Sequence, residues 1–190
     1  CRDWSSDVCS SDLGLWHLEE ATGSGAYIKD SSGYGNNGTP AAKTIFDGKI
    51  GEAVYGANIS MSNESNFRFE RTQPFSISGW IKIATLSSGR GYQNIFSKML
   101  GTSPYTGYHL LVADGADSAV TGAGILRFGL INTWTTNTLL IQTNNRVDDN
   151  QWHYVVATYD GSSSPSGAKI YIDGAQVPTT TKYNSLTASI

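Results

Sequence analysis

The loop at residues 30–39, DSSGYGNNGT, gathers the side chains best suited to hold a hard cation. Calcium takes about six to eight oxygen ligands from carboxylates, amide side chains and backbone carbonyls, and it favours a loop that turns several oxygens inward. Asp30 supplies the charge, Asn36 or Asn37 a side-chain oxygen, and Gly33, Gly35 and Thr39 carbonyls at turns that glycine permits. The alternative is an Asx-turn loop without metal, in which Asp30 accepts backbone N–H bonds locally. His17, His109 and His153 lie far apart, and none has a His or Cys at metal-ligand spacing, so each reads as structural.

Glycosidic chemistry needs two converging carboxylates, about 5 to 5.5 Å apart for retention and further apart for inversion. Neither Glu19-Glu20 nor Asp148-Asp149 meets that need, because adjacent residues of an extended chain point to opposite faces. Asp148-Asp149 reads as a solvated turn before Trp152. No G-x-S-x-G elbow is present to support a serine nucleophile. Sugar binding asks instead for exposed aromatic rings that stack on a pyranose, with Asn, Asp or Arg for the hydroxyls. Tyr92, Tyr105 and Trp134 fall in loops near Asn94, Asn132 and Asn137, and Arg127 lies on the strand before Trp134. Trp134 leads this set because NTWTTN is a polar loop, whereas Trp80 and Trp152 sit in strands and read as core.

The elements that must carry these residues are strands. From Gly14 onward, turn residues recur about every eight to twelve positions with short β-branched or aromatic runs between them, the spacing of a sandwich or barrel. Leu15–Leu18, Gly51–Met61 and Phe67–Phe69 are strand candidates. FSISGWIKI (75–83) alternates, with Phe75, Ile77, Gly79, Ile81 and Ile83 on one face. Ile95–Met99 with Tyr108–Ala113, and Ile125–Ile131 with Leu139–Thr143, read as neighbouring pairs. WHYVVATY (152–159) is apolar on both faces and reads as a central strand covered on each side. Asp173-Gly174 predicts a two-residue hairpin, because the turn that matches strand twist needs positive φ at both central positions.

A chain of 190 residues suits one domain, and an apolar fraction of 39% permits a core. Charged residues make up only 15%, and the net charge is −3 with no basic cluster, which gives no footprint for nucleic acid or an anionic membrane. No apolar run approaches the roughly 18 residues of a membrane-spanning helix. Residues 1–13, CRDWSSDVCSSDL, lack the apolar stretch of a signal peptide and resemble translated sequencing-adapter read-through. Cys1 and Cys9 both fall there, so cysteine usage says nothing about redox compartment. The domain expected to fold is 14–190, preceded by a non-native or disordered tail.

Read in order, GLWHLEE (14–20), DSSGYGNNGT, FDGKIGEAVYG (46–56), QPFSISGWIKI (73–83), DDNQWHYVVATYDG (148–161) and KIYIDGAQV (169–177) resemble the laminin-G-like family of concanavalin A-like lectin and glucanase jelly rolls. The resemblance implies an all-β, two-sheet antiparallel β-sandwich. It also implies a non-catalytic carbohydrate-binding or adhesion module of a larger extracellular or cell-surface protein, with carbohydrate or a cell-surface protein as partner. A structural calcium at the 30–39 loop is implied too. Relatives continue past the second hairpin strand, often with an acidic residue that returns beside that loop. The last strand is therefore expected to be missing here, and Thr179–Ile190 to be poorly ordered. Two rivals stand: a protein-binding adhesion domain, and a glycoside hydrolase or lyase of the same superfold.

Overall fold

A computed structural model describes residues 12–18, 28–41, 44–55, 58–61, 63–86, 91–115 and 122–190. Cys1, Cys9, Glu19 and Glu20 lie outside the described residues. The chain forms two compact units, Cys1–Arg68 and Phe69–Ile190, each described by itself.

In the first unit, β1 (Gly38–Pro40), β2 (Thr44–Asp47), β3 (Glu52–Tyr55) and β4 (Ile59–Met61) form two antiparallel pairs, β1 with β4 and β2 with β3. The expected strand Gly51–Met61 is thus two strands with different partners. Leu15–Leu18 does not form a strand: Trp16 makes an isolated bridge to Asp30, and Ile28 another to Gly38. Ile28 is fully buried, and a side chain at Gly38 would press on Ile59 Cγ2 at 2.5 Å, so the glycine lets these segments close up. Phe67 also departs from the strand expectation. It is buried at the end of a 3-10 turn, Glu64–Phe67, with its ring 6.0 Å from Trp16. Left-handed Asn63 (φ 53°) starts that turn, which explains why apolar alternation misread it.

The second unit holds β5 (Phe75–Lys82), β6 (Gln93–Met99), β7 (Gly107–Asp114), β8 (Ala123–Thr133), β9 (Asn137–Arg146), β10 (Trp152–Tyr159), β11 (Ala168–Ile172), β12 (Ala175–Gln176) and β13 (Thr179–Asn184). They build two antiparallel sheets in the orders β12-β11-β10-β5 and β13-β9-β8-β7-β6. This is the expected all-β sandwich, a concanavalin A-like jelly roll. Alternation decides which side chains meet between the layers. Phe75, Val155, Ala157, Tyr159 and Ile170 from one sheet face Tyr108, Leu110, Val112, Leu126, Phe128, Leu130, Leu139 and Ile141 from the other. The Phe75 ring lies 4.7 Å from Tyr108 and 5.8 Å from both Phe128 and Tyr159. Tyr159 also donates its hydroxyl proton to Arg71 O and accepts Ser163 N–H at 2.7 Å, tying the following turn to the start of the sheet.

Three expectations are corrected in this unit. β10 is buried only at alternate positions, Val155, Ala157 and Tyr159; the strands buried on both faces are β7 and the inner stretches of β8 (124–131) and β9 (138–143). Trp80 is not core. It is 40% exposed on the solvent side of β5, its ring 5.3 Å from Tyr154, and Trp152 is half-buried. Thr179–Ile190 is ordered: β13 pairs with β9, Leu186 is buried, and Asn137 Oδ1 accepts N–H bonds from Thr187 and Ala188. The Thr-rich sequence gave little apolar signal, and β13 owes its place to backbone pairing with the edge of β9.

The Asp173-Gly174 hairpin is present, with φ of 51° and 85°. Gly174→Ala is expected to cost about 1 kcal/mol, because alanine pays for positive φ. Gly79→Ala, where an added Cβ meets nothing within 4 Å, leaves stability unchanged or slightly raised. Paired urea melts of the two variants check the contrast. Asn137→Ala is expected to cost about 1 kcal/mol and lower the melting temperature by roughly 2–4 °C. Calorimetry reads that loss.

Candidate functional site

The Asp30 carboxylate is buried and takes its donors from its own loop and from Leu15. Oδ1 accepts N–H bonds from Leu15 (2.9 Å) and Ser32 (2.8 Å), while Oδ2 accepts the Ser32 hydroxyl (2.8 Å) and Asn36 N–H (2.9 Å). The candidate amide ligands are engaged too. Asn37 Oδ1 accepts Asp30 N–H, and Asn36 bridges Leu13 O and the Asn66 amide. Gly35 O accepts from Asn63 Nδ2 at 3.2 Å. Burial raises the Asp30 pKa, but the donors from Leu15, Ser32 and Asn36 outweigh it and hold the carboxyl below its ordinary value. This is the geometry of an Asx-turn. As arranged, these residues do not fit calcium, because the oxygens that would converge on an ion are turned to N–H and O–H donors. No group of His, Cys, Asp and Glu among the described residues is arranged to hold a metal ion.

The aromatic and polar residues expected to bind a ligand separate into two places on the five-stranded sheet. Trp134 lies in the turn between β8 and β9, half-buried, with Tyr183 of β13 edge-on at 5.8 Å. Its N–H donates to Pro104 O (3.0 Å), which draws in the 101–106 loop and the 40% exposed Tyr105. Tyr105 and Thr135 both have positive φ, so the two turns are sharply bent here. Asn132 adjoins this corner, but its amide is occupied by Ser189 O (2.7 Å) and the Thr133 hydroxyl (2.9 Å). Arg127 sits seven residues back along β8, roughly 20 Å away, and Tyr92, just before β6, lies against it. Arg127 is 2% exposed, and its guanidinium lies 5.7 Å over the Tyr92 ring. Tyr183 escaped the sequence reading because its segment was expected to lack a fold.

Asp148 is a correction. It is not solvated: buried beneath the start of β8, it accepts Arg146 Nε and Nη2 at 2.9 and 2.6 Å and Leu86 N–H at 2.7 Å. Gly124, at φ 76°, makes room for it, since a side chain there would collide with the carboxylate. Asp149, by contrast, is exposed and accepts from Gln151 N–H. His153 bridges Asp173 (2.8 Å) and Asp149 (3.1 Å). Burial lowers its pKa, but the two carboxylates more than reverse this and raise it. His109 is buried with Nδ1 3.0 Å from Met99 Sδ; burial, then Arg127, push it down to about 4, so it is neutral near pH 7.

A laminin G family model, described as concanavalin A-like lectin/glucanases superfamily, matches residues 55–189. The chain belongs to this superfamily. No curated protein matches it. Among solved structures, this laminin-G-like chain resembles the binding domain of botulinum neurotoxin DC in complex with rat synaptotagmin II, at 17% identity and a TM-score of 0.57, over 92% of this chain and 41% of that one. It also resembles the same binding domain in complex with SialylT, at 14% identity and TM-score 0.55, over 94% and 42% of the two chains. A serotype D/C binding domain matches at 17% and 0.55, over 95% and 41%. At these identities the likeness is one of fold, and the chain spans about two fifths of each neighbour's length.

Asp30→Ala is expected to cost about 3 kcal/mol by stranding buried donors, read by denaturant melts. Because the folded pKa is depressed, the stabilisation is complete above the unfolded value of about 4 and is lost as pH falls through the folded one. Adding calcium leaves the melting temperature where it was. His153 has the opposite sign: its contribution is full below about pH 6.5 and disappears as pH rises through the raised folded pKa. Melting curves of His153→Gln and wild type should therefore converge above that pKa.

Proposed function

We propose that this chain is a non-catalytic carbohydrate-binding or adhesion module of a larger extracellular or cell-surface protein, with its ligand held at the β8–β9 corner. The observation that carries the reading is the aromatic group at that corner. Trp134 braced edge-on by Tyr183, with exposed Tyr105 in the loop bonded to it, offers ring surface fixed by backbone hydrogen bonds. An aromatic with an apolar body and a polar edge suits a ligand that is apolar on one face and hydroxylated at its rim. The exposed turn residues Thr135 and Thr136 supply hydroxyls beside it. Support also comes from the fold neighbours, which are binding domains, one in complex with SialylT.

A protein ligand is the second reading, favoured by a different observation. The β2–β3 hairpin exposes Phe46 (54%), Ile50 (72%) and Tyr55 (72%), an apolar surface of the kind that marks protein contacts. One fold neighbour is itself bound to a protein, synaptotagmin II.

A glycan array separates the two. The carbohydrate reading expects discrete positives that Trp134→Ala abolishes and Phe46→Ser leaves intact, with melting temperatures within a few degrees of wild type. Full glycan binding by Trp134→Ala, or an array without positives, removes the corner from consideration.

A further inference from the structure

Three asparagines stand in the triplet Asn-x-Ser/Thr, the acceptor pattern for an N-linked glycan: Asn37-Gly38-Thr39, Asn58-Ile59-Ser60 and Asn63-Glu64-Ser65. All three fall in the first unit, and no asparagine of the second unit, which carries the Trp134 corner, stands in such a triplet. In a chain rich in Asn, Ser and Thr the triplet alone decides little. Placement separates the three.

Asn58 lies just before β4, where its carbonyl accepts Ala41 N–H at 2.9 Å. Continuing the alternation of β4 back one residue puts Asn58 and Ser60 on one face while Ile59 and Met61 turn the other way. Burial agrees: Asn58 and Ser60 are exposed, and Ile59 and Met61 are half-buried. Amide and hydroxyl therefore lie on the solvent side together. Asn63 and Ser65 are exposed as well, the one starting the 3-10 turn and the other within it. The Asn63 side chain makes no capping bond; its Nδ2 donates to Gly35 O at 3.2 Å. An N-linked sugar replaces one of the two Nδ2 protons and leaves the other, so that bond survives the modification. Asn37 differs. It is half-buried, its Oδ1 accepts Asp30 N–H at 2.9 Å, and Gly38 beside it is buried against Ile59 and Ile28. A glycan there would pull apart the loop that serves Asp30.

We propose that Asn58 and Asn63 are the N-glycan acceptors of this chain and that Asn37 is not. In the transfer, Nδ2 forms a bond to C1 of the first sugar of a polyprenyl-diphosphate-linked oligosaccharide. The C1–O bond to the diphosphate breaks, polyprenyl diphosphate leaves, and Nδ2 gives up one proton. No oxidant or reductant takes part. The inference rests on the extracellular part of the reading above, since the sugar is added to chains entering the secretory path, and not on the Trp134 corner.

The test is expression of the full chain behind a secretion signal in cultured animal cells, with its mass read before and after peptide N-glycanase in heavy-oxygen water. The enzyme converts each glycosylated Asn to Asp and marks it with heavy oxygen. Marks are expected at Asn58 and Asn63 and none at Asn37. Ser60→Ala should remove the first glycan alone and Ser65→Ala the second alone; both serines are exposed, so neither change threatens the fold. The proposal is overturned by a secreted chain without enzyme-sensitive mass, by an unmarked Asn58 or Asn63, by a mark at Asn37, or by glycan that survives the double serine variant. A glycan array probed with chain made in bacteria, which lacks the modification, tests the Trp134 corner separately. Array positives with no acquired glycan sink this inference alone, and acquired glycans with an array without positives sink the corner alone.

Discussion

The sandwich depends on the contact between its two sheets around Phe75. That ring leaves β5, meets Tyr108 and Phe128 from the opposite sheet and Tyr159 from its own, and stacks on Phe69 at 4.8 Å. Burial of apolar surface contributes about 25 cal/mol per Å², and aromatic side chains bury the most per residue. Neither sheet can present a rim or a turn in a fixed place unless this contact holds the layers in register. The turns at Trp134 and Asp173 are products of that packing.

Polar groups in the interior divide into those that serve the fold and those that the fold leaves over. Asp30 and Asp148 belong to the first kind. Each takes N–H donors both from nearby residues and from a segment distant in sequence, Asn36 and Leu15 in one case, Arg146 and Leu86 in the other, and so replaces hydration with structure. Asn132 and Asn137 behave alike at the surface, clasping residues 187–189. Gln142, whose Oε1 is buried without a hydrogen-bond partner, is of the second kind.

Much of the fold was legible in the residues. The two-residue period of Phe75–Ile83 assigned its core face correctly because alternation is a property of the strand itself. The positive φ demanded at Asp173-Gly174 fixed that hairpin for the same reason: both are local. The readings that failed were non-local. Trp80 and Trp152 were assigned by residue type, yet Trp80 lies on the outer face that its position in the alternation indicates. Apolar Trp152, Tyr154 and Val156 make β10 read as buried on both sides, although an aromatic residue can sit half-exposed on an outer face. β13 gave almost no signal, since Thr179–Lys182 carries no apolar pattern and its place was decided by the open edge of β9.

The amino-acid sequence by itself determined the all-β class, the strand pairs joined by short turns, the Asp173-Gly174 hairpin and the superfamily resemblance. Those features follow from backbone preference and side-chain period over a few residues. Tertiary structure alone decided that Asp30 would spend its oxygens on N–H donors, that Asp148 would be buried under Gly124, and that Trp134 would meet Tyr183 while Arg127 lay far from it. It alone left Gln142 Oε1 unserved. Each of these depends on which distant strands become neighbours, and hydrogen-bond satisfaction is settled only when those neighbours arrive.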